Sequence, residues 1–272
     1  MNSSDLFSLE GKVAVITGGY GVLGGSIATS LVSAGARIAI LGRQHDRAEQ
    51  KVDELRKAGA DARALIADVL DEKALDAARD ELLTTWGRID ILVNAAGGNI
   101  PAARNDNRPV FEVASDAFDE VMRLNLNGTV LPSMRFGEVM AGQRSGVIIN
   151  ISSMAALRAI SGVLSYSIAK AGIDSFTRWL AVDLARRYGD GIRVNAIAPG
   201  YFVTDANRPT LFKDDGSLTP RAQAILAQTP MGRFGRPEEV TAAVRWLSSD
   251  AASFVTGVVI PIDGGFSAFS GV

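Results

Sequence analysis

Short apolar runs alternate with longer helical patterns along almost the whole chain. The runs are rich in β-branched residues and predict seven strands, at 13–17, 37–41, 62–67, 89–94, 146–151, 192–197 and 257–262. Between them we predict six helices, at 22–34, 45–58, 71–86, 115–141, 161–188 and 237–248. Strands separated by helices of this length are joined by right-handed crossovers. The alternation therefore predicts an α/β, doubly wound architecture: a single seven-stranded parallel sheet with helices on both faces.

The chain of 272 residues contains no repeat, low-complexity tract or linker that would divide it, so we expect one domain over residues 1–272. Two long polar connections, at 98–114 and 201–232, follow the fourth and sixth predicted strands, and residues 218–228 look weakly helical. Ligands bind at the carboxyl ends of strands in open α/β sheets. We predict that these connections form the substrate-side walls; tolerated surface insertions are the alternative.

Composition removes several classes of function. A net charge of −2 argues against nucleic-acid or anionic-membrane partners. The absence of cysteine excludes disulfides and cysteine nucleophiles, and a single histidine, His45, makes a multi-histidine metal site impossible. We therefore expect no metal, and a Ser-His-Asp hydrolase only if His45 is the base. The first twelve residues do not resemble a signal peptide, and no apolar run is long enough to span a membrane, which predicts a soluble, cytoplasmic protein.

A glycine-rich stretch follows the first predicted strand and runs directly into a helix. Glycines allow a tight turn and let the backbone approach a pyrophosphate, which then lies at the helix N-terminus. The residues predicted to bind a dinucleotide here are Thr17, Gly18, Gly19, Tyr20, Gly21, Val22, Leu23 and Gly24. Val22 stands where the pattern TGxxxGxG has a glycine, which leaves the detailed geometry of the turn open.

The end of the second strand distinguishes between the two nicotinamide cofactors. A carboxylate there binds the adenosine 2′-hydroxyl of NAD, whereas an arginine accommodates the 2′-phosphate of NADP. The chain has Gly42 followed by Arg43 and no acid, so NADP(H) is favoured and NAD(H) is possible, with Arg43 then a solvated charge on adenine. Asp68, before Val69, could bind the adenine amino group, cap the helix predicted at 71–86, or do both.

Tyr166 and Lys170 are four residues apart in the sequence YSIAK, and Ser153 lies thirteen residues before Tyr166. On a helix, the tyrosine and the lysine share one face. A nearby ammonium favours the phenolate, so we expect Lys170 to lower the pKa of Tyr166 towards the range of a useful proton carrier. The alternative is an ordinary helix that happens to carry both residues.

Taken together, these motifs resemble the short-chain dehydrogenase/reductase family. The resemblance runs from about residue 9 to the C-terminus and includes TGGYGVLG, Asp68, Asn94-Ala95-Ala96-Gly97, Asn125, Ser153, YSIAK and Pro199-Gly200. It implies a Rossmann fold and an NAD(P)-dependent enzyme that interconverts a secondary alcohol and a ketone. By this resemblance the cofactor site also includes Val69, Asn94, Ala95, Ala96, Gly97, Tyr166, Lys170, Pro199, Gly200 and Thr204.

The resemblance also implies the catalytic roles. Tyr166 would be the general acid/base, Lys170 would lower its pKa and bind the nicotinamide ribose, and Ser153 would polarise the carbonyl, with Ser152 the structural alternative. Asn125 would hold the water that connects Lys170 to solvent.

Three further residues have implied roles of their own. Asn127 is the rival of Asn125 but looks like a turn residue. Asn94 would brace strands beneath the cofactor. Thr204 would meet the nicotinamide carboxamide, unless it is a simple loop cap.

Three less generic stretches, at 94–99, 214–220 and 263–272, are similar to the D-mannonate oxidoreductase branch, whose members interconvert D-mannonate and D-fructuronate. Donors for such a sugar acid could come from Asn99, Arg104, Arg108, Arg158, Asn207 and Arg208; an individual arginine is more often a solvated surface charge, and we expect at least one to bind the carboxylate. The alternatives are a 3-oxoacyl-carrier-protein reductase and, in another class, a non-catalytic nucleotide-sensing protein. The apolar segment 254–262 and the aromatic tail, with the resemblance, imply a homotetramer; burial against the same chain is the alternative.

Overall fold

The computed structural model describes residues 5–106 and 109–271. Its centre is one parallel sheet of seven strands, in the order β3-β2-β1-β4-β5-β6-β7. The strands are β1 (Val13–Thr17), β2 (Arg37–Gly42), β3 (Ala62–Ile66), β4 (Ile91–Asn94), β5 (Gly146–Ile151), β6 (Ile192–Pro199) and β7 (Val259–Ile262). The predicted α/β fold is confirmed. Because the strand order reverses between β1 and β4, a crevice is expected at their carboxyl ends.

Helices cover both faces of the sheet. They are α1 (Val22–Ser33), α2 (His45–Lys57), α3 (Glu72–Trp86), α4 (Ser115–Met122), α5 (Gly128–Gln143), α6 (Leu164–Tyr188), α7 (Arg208–Leu211), α8 (Pro220–Ala227) and α9 (Pro237–Ser248). The weakly helical stretch predicted at 218–228 is α8, whereas α7 was not predicted. No helix in the described part of the chain is long and apolar enough to cross a membrane.

Strand residues are buried on both faces, which explains why the strands are continuously apolar rather than alternating. In β1, Ala14 and Ile16 belong to the core under α1, α2 and α9, while Val15 belongs to the core under α3, α5 and α6. All five residues of β1 and all six of β5 are buried. The two cores hold the sheet rigid, so that its carboxyl edge can position functional groups.

The prediction of one continuous helix at 115–141 is wrong. The chain forms α4, a π-helical segment at Arg123–Asn127, and then α5. The Asn125 amide nitrogen donates to the carbonyl oxygens of Val121 (2.9 Å) and Gly98 (2.7 Å), so the side chain competes with regular helical bonding and ties the segment to a distant loop. Pro132 inside α5 lacks the N–H that would bond the start of that helix.

The helix predicted at 161–188 begins three residues later than expected, at Leu164. Gly162 has φ +79°, a left-handed conformation that ends any helix passing through it. A Cβ at Gly162 would overlap the carboxylate of Asp106, so this turn packs directly against the loop after β4. Residues between Ser153 and Tyr166 thereby contact one of the two long connections.

Candidate active site

The glycine-rich turn after β1 lies against the ends of three strands. The Gly18 N–H donates to the Leu41 carbonyl of β2 at 2.8 Å, and a Cβ on Gly18 would come within 2.9 Å of the Ala96 Cα beyond β4. Gly24 lies so close to the turn that its Cβ would be 2.5 Å from the Gly18 oxygen. Only glycine fits these approaches, and a turn of this kind before a helix is typical of a pyrophosphate-binding site.

Val22 does not disrupt this turn. It is the first residue of α1, and Gly21 precedes it as the extended N-cap residue. The Gly21 N–H closes the turn onto the Gly18 oxygen at 2.9 Å. A β-branched residue is compatible with the helical conformation that position 22 adopts, which answers the question left open by the sequence.

Polar side chains beneath the turn hold neighbouring strands together. The Thr17 hydroxyl oxygen accepts from the backbone N–H groups of Ala95 and Ala96, both at 3.1 Å. The buried Asn94 amide donates to Ser133 (2.8 Å) and to Asn150 (2.9 Å). Asn94 thus links β4 to β5 and α5. A residue that braces neighbouring strands would make such bonds.

At the ends of β2 and β3, Arg43 and Asp68 form an ion pair of 3.6 Å. The alternative role of Asp68 as the cap of α3 is wrong. Asp71 caps that helix by accepting from Lys73 and Ala74, while Asp68 accepts from the N–H of Leu70 at 2.9 Å. Val69 is buried and contacts the backbone of Gly128, whose Cβ would lie 3.0 Å from a Val69 methyl group.

Ser153, Tyr166 and Lys170 converge beyond the end of β5. Ser153 follows β5, and its hydroxyl lies close enough to Tyr166, near the start of α6, to lower the pKa of the phenol against the larger effect of burial. One turn further along α6, the Lys170 ammonium lies 5.4 Å from the centre of the Tyr166 ring. Lys170 is only 4% exposed and donates to the Ile151 carbonyl at 2.7 Å. The spacing predicted from the sequence therefore corresponds to a real cluster.

The electrostatics of this cluster differ from the expectation. Burial raises the pKa of Tyr166 above its ordinary value, and the neighbouring Ser153 hydroxyl offsets only part of this effect. Burial lowers the pKa of Lys170 from 10.5 to about 8, against the opposing charge of Asp174. Desolvation thus outweighs charge attraction among the protein's own groups. The lowered Tyr166 pKa predicted from the four-residue spacing is not found.

Asp174 is a residue that the sequence analysis missed. It is buried one turn beyond Lys170 on α6. Burial raises the pKa of its carboxyl, and the nearby Ser152, Arg178 and Lys170 offset part of this effect. The signal was present in the sequence, because Lys170 and Asp174 are four residues apart and share a helix face.

Asn125 is fully buried in the π-helical segment, beside the same loop as Lys170. Besides donating to Gly98, its side chain accepts from the Gly98 N–H at 3.0 Å. A Cβ on Gly97 would be 2.6 Å from the Asn125 oxygen and 3.6 Å from the Lys170 nitrogen. The backbone at Gly97 therefore passes close to both side chains and leaves no room for a larger residue. The rival Asn127 is exposed.

Several side chains named as donors for a sugar acid already bind elsewhere in the protein. Arg158 donates to the Ser267 carbonyl at 2.8 Å and Arg208 lies over the Phe212 ring at 5.2 Å. Asn207 closes the loop after β6, accepting from the N–H of Thr204 at 2.8 Å. Arg104 pairs with Asp106 at 2.7 Å. Arg108 lies outside the described residues.

Asn99 differs from those residues. Its side-chain oxygen accepts from the N–H of Ile100 at 3.0 Å, and its buried amide nitrogen has no hydrogen-bond partner within residues 5–106 and 109–271. An unsatisfied buried donor is costly, and such groups mark places where a ligand or water completes the bonding. Asn99 follows the Gly97-Gly98 segment that contacts Asn125.

The chain after β6 lies beside the C-terminal segment. The Gly200 N–H donates to the Ile262 carbonyl at 2.9 Å, and a Cβ on Gly200 would be 2.7 Å from the Asp263 Cα. Pro199, the last residue of β6, is buried and leads into this contact. A cavity of about 370 Å³ lies next to it, between Tyr201, Thr229 and Gly264.

Arg221 of α8, also missed in the sequence, joins the two long connections. Its guanidinium donates to the Asp106 carboxylate at 2.9 Å and to the Ser161 carbonyl at 3.2 Å. Burial raises the pKa of the nearby Tyr201, and the Arg221 charge offsets part of this effect. Burial raises the pKa of Asp106, but the Arg104 hydrogen bond and the Arg104 and Arg221 charges reverse this and hold the pKa below its usual value. The two connections predicted to form the substrate-side walls are therefore tied together.

Comparison with known proteins gives one consistent result. A family model described as Enoyl-(Acyl carrier protein) reductase matches residues 21–267. An uncharacterized oxidoreductase, UxuB, of Bacillus subtilis is 42% identical over 97% of this chain and 98% of its own. A solved structure from Haemophilus influenzae, proposed to be a D-mannonate oxidoreductase and containing bound NAD, is 40% identical, covers both chains completely and superimposes with a TM-score of 0.93.

A gluconate 5-dehydrogenase from Burkholderia cenocepacia, solved with NADP and tartrate, is 32% identical over 98% of this chain and 99% of its own, with a TM-score of 0.88. The fold and the site thus define a nicotinamide-dependent oxidoreductase. The chain belongs to the short-chain dehydrogenase/reductase family. The preference for NADP(H) predicted from Arg43 is not supported by these relatives, because both cofactors occur among them.

Proposed function

We propose that this enzyme interconverts a secondary alcohol and a ketone on a sugar acid of the D-mannonate/D-fructuronate type. The reaction class rests on one observation, the convergence of Ser153, Tyr166 and Lys170 beyond β5. The substrate class is supported by the full-length similarity to the Haemophilus influenzae protein and by the three sequence stretches noted above. Gluconate, the substrate named for another relative, is also a sugar acid.

In this proposal Tyr166 exchanges a proton with the substrate oxygen, and Ser153 donates a second hydrogen bond to the same oxygen. The bound nicotinamide supplies or accepts the hydride. Two hydroxyl donors stabilise negative charge that develops on a carbonyl oxygen during reduction. The Ser153 hydroxyl is near enough to the Tyr166 phenol to offset part of the effect of burial on its pKa, so the two hydroxyls can share one substrate oxygen in this proposal.

Lys170 serves as the charged partner of Tyr166 in this proposal. With a pKa of about 8, it is still mostly protonated at neutral pH, so a positive charge faces the tyrosine ring. The three N–H groups of an ammonium allow it to keep its bond to Ile151 and still bind a ribose hydroxyl. Asp174 then acts as a positioning residue that keeps this ammonium charged.

Asn99 is the best-placed donor for the polar substrate among the residues named from the sequence. Its amide nitrogen is buried and unsatisfied, and its backbone is next to the Gly98 that Asn125 fixes. A polyhydroxylated acid offers several oxygens that could accept from this nitrogen. The charge pair of Asp106 and Arg221 would hold the walls around such a substrate.

The proposal is tested by a spectrophotometric assay of purified enzyme. D-fructuronate with NADH and NADPH, and D-mannonate with NAD⁺ and NADP⁺, should be turned over at least about tenfold more efficiently than neutral polyols or 3-oxoacyl thioesters. Efficient turnover of neutral polyols or thioesters, with aldonates and ketouronates ignored, would refute the substrate class but leave the reaction class intact.

We also propose that the enzyme assembles as a homotetramer. Large apolar side chains are exposed on the outer faces of α5 and α6, among them Met134 and Trp179, the latter 65% exposed. Part of the aromatic tail, by contrast, packs within the chain, since the Phe266 ring lies 5.6 Å from that of Tyr201. Light scattering that gives about 29 kDa instead of about four times the chain mass of 28.7 kDa would refute the assembly.

A further inference from the structure

The side chain of Tyr20 fills the place where a Rossmann enzyme carries its cofactor-selecting residue. Gly42, the last residue of β2, has no side chain and is buried. A Cβ on Gly42 would overlap the ring of Tyr20 and come within 2.9 Å of its hydroxyl oxygen. Tyr20 comes from the glycine-rich turn, so the pyrophosphate-binding turn itself supplies the group at the β2 end.

This position is the one at which adenosine ribose is recognised in such folds. A carboxylate at the end of β2 binds the ribose 2′-hydroxyl of NAD, and an arginine nearby accommodates the 2′-phosphate of NADP. The Gly18 N–H bonds to the Leu41 carbonyl at 2.8 Å, which places the turn directly beside the β2 end. The Tyr20 hydroxyl therefore lies where the missing carboxylate would be.

We propose that the Tyr20 hydroxyl takes the place of that carboxylate, binds the adenosine ribose, and makes the enzyme select NAD(H) over NADP(H). A single phenolic hydroxyl can donate to or accept from one ribose hydroxyl. It offers one donor to a 2′-phosphate, which carries three acceptor oxygens and up to two negative charges. The ring edge also occupies volume that the phosphate would need.

Of the two arginines near this place, Arg47 holds Tyr20 and Arg43 is paired with an aspartate. The Arg47 guanidinium lies over the Tyr20 ring, 5.0 Å from its centre, and donates to the Tyr20 carbonyl at 3.5 Å. Arg43 is paired with Asp68, whose negative charge would repel a 2′-phosphate. An exposed ion pair of this kind is weak and does not by itself keep Arg43 from a phosphate, so the obstacles are the Tyr20 ring and the carboxylate of Asp68.

The proposal depends on dinucleotide binding at the glycine-rich turn and not on the identity of the substrate. It can therefore be tested by titrating the substrate-free enzyme with NAD⁺, NADP⁺ and 2′-deoxy-NAD⁺, with dissociation constants from calorimetry. The wild type should bind NAD⁺ at least about tenfold more tightly than NADP⁺ and about tenfold more tightly than 2′-deoxy-NAD⁺. Tyr20→Phe should weaken NAD⁺ about tenfold and should bind NAD⁺ and 2′-deoxy-NAD⁺ equally.

Tyr188→Phe, which removes a hydroxyl from another half-buried tyrosine, is the matched control and should leave all three constants unchanged. Tyr20→Ala combined with Gly42→Asp should recover the NAD⁺ affinity that Tyr20→Ala alone loses, because the carboxylate then has room. Tighter binding of NADP⁺ than of NAD⁺ by the wild type would overturn the proposal. The proposal would also be overturned if Tyr20→Phe bound NAD⁺ as tightly as the wild type, or if that variant still discriminated against 2′-deoxy-NAD⁺. A double variant that did not recover NAD⁺ affinity would overturn it as well.

Discussion

The Lys170 ammonium lies 5.4 Å from the centre of the Tyr166 ring and is bonded to the backbone carbonyl of Ile151, not to the phenol. Lys170 therefore acts on Tyr166 as a nearby positive charge, which its bond to β5 holds in place. Burial works against this charge, because it raises the pKa of the phenol and lowers that of the ammonium. Keeping this charge inside the protein therefore lowers the stability of the folded chain.

The first prediction concerns the cost of burying Lys170. A fall in pKa from 10.5 to about 8 corresponds to about 3 kcal/mol of lost stability at neutral pH, against about 1 kcal/mol gained from its hydrogen bond. Lys170→Met should therefore abolish turnover while leaving the free energy of unfolding equal to or about 2 kcal/mol above that of the wild type, measured by urea denaturation at pH 7.

The difference in free energy of unfolding between the wild type and Lys170→Met should depend on pH. Between pH 8 and 10.5 the unfolded chain holds more protons at this lysine than the folded one, so wild-type stability should rise relative to the variant over this range. Below about pH 8 the penalty is complete. The control Lys57→Met, at an exposed position on α2, should show no such trend. A difference that stays constant up to pH 10.5 would mean that Lys170 is not desolvated.

A second prediction follows from Asp174. Its charge raises the pKa of Lys170, so Asp174→Asn should lower that pKa further. If turnover needs the protonated ammonium, the alkaline limb of the pH profile of kcat should move to lower pH in the variant, with little change in KM near pH 6. An unchanged limb would show that Asp174 has no electrostatic role, whatever its effect on stability.

The third prediction separates Asn125 from Asn127. Asn125→Ala removes a buried side chain and its three hydrogen bonds, which hold Gly98 and the π-helical segment. It should destabilise the protein by about 2–4 kcal/mol and lower kcat, since the Gly97-Gly98 segment would shift beside Lys170. Asn127→Ala, at an exposed position, should change unfolding by less than about 0.5 kcal/mol. Equal effects of the two substitutions, seen in thermal unfolding, would contradict this account.

A fourth prediction addresses the Asp106–Arg221 link between the two substrate-side connections. Arg221→Ala should raise KM for the substrate about tenfold and change kcat less, because the walls would no longer be held together. Arg187→Ala, which breaks an exposed ion pair at the end of α6, is the control. Since the pKa of Asp106 is lowered, the link should persist above the ordinary carboxyl range and weaken only as the pH falls below it. A KM identical to that of the wild type would show that the link does not shape the site.

Much of the architecture was readable from the sequence because its causes are local. Each strand is buried on both faces and is therefore a continuous apolar run, so all seven were predicted with ends within two residues. The glycine-rich turn was found because its glycines avoid clashes within the turn and with adjacent strands, as at Gly24 and Gly18. The Tyr166–Lys170 pair was found because a helix fixes the geometry of residues four apart.

The structural features that the sequence did not predict depend on contacts between distant residues or on burial. The break in the helix predicted at 115–141 follows from a bond between Asn125 and Gly98, which are 27 residues apart. Arg221 reaches Asp106 across 115 residues. The direction of the Tyr166 pKa was misjudged because the sequence shows which charge is nearby but not how far water is excluded. The donor roles given to Arg158 and Arg208 ignored partners that only the folded chain brings to them.

The central claim is that Tyr166 carries the proton in the reaction, and Tyr166→Phe tests it most directly. The variant should bind the dinucleotide within about twofold of the wild type, because only a hydroxyl is lost, yet its kcat should fall by about a thousandfold. Tyr188→Phe, made in parallel, should retain full turnover. If Tyr166→Phe turned over substrate within about tenfold of the wild-type rate while binding cofactor normally, the assignment of Tyr166 as the general acid/base would be wrong.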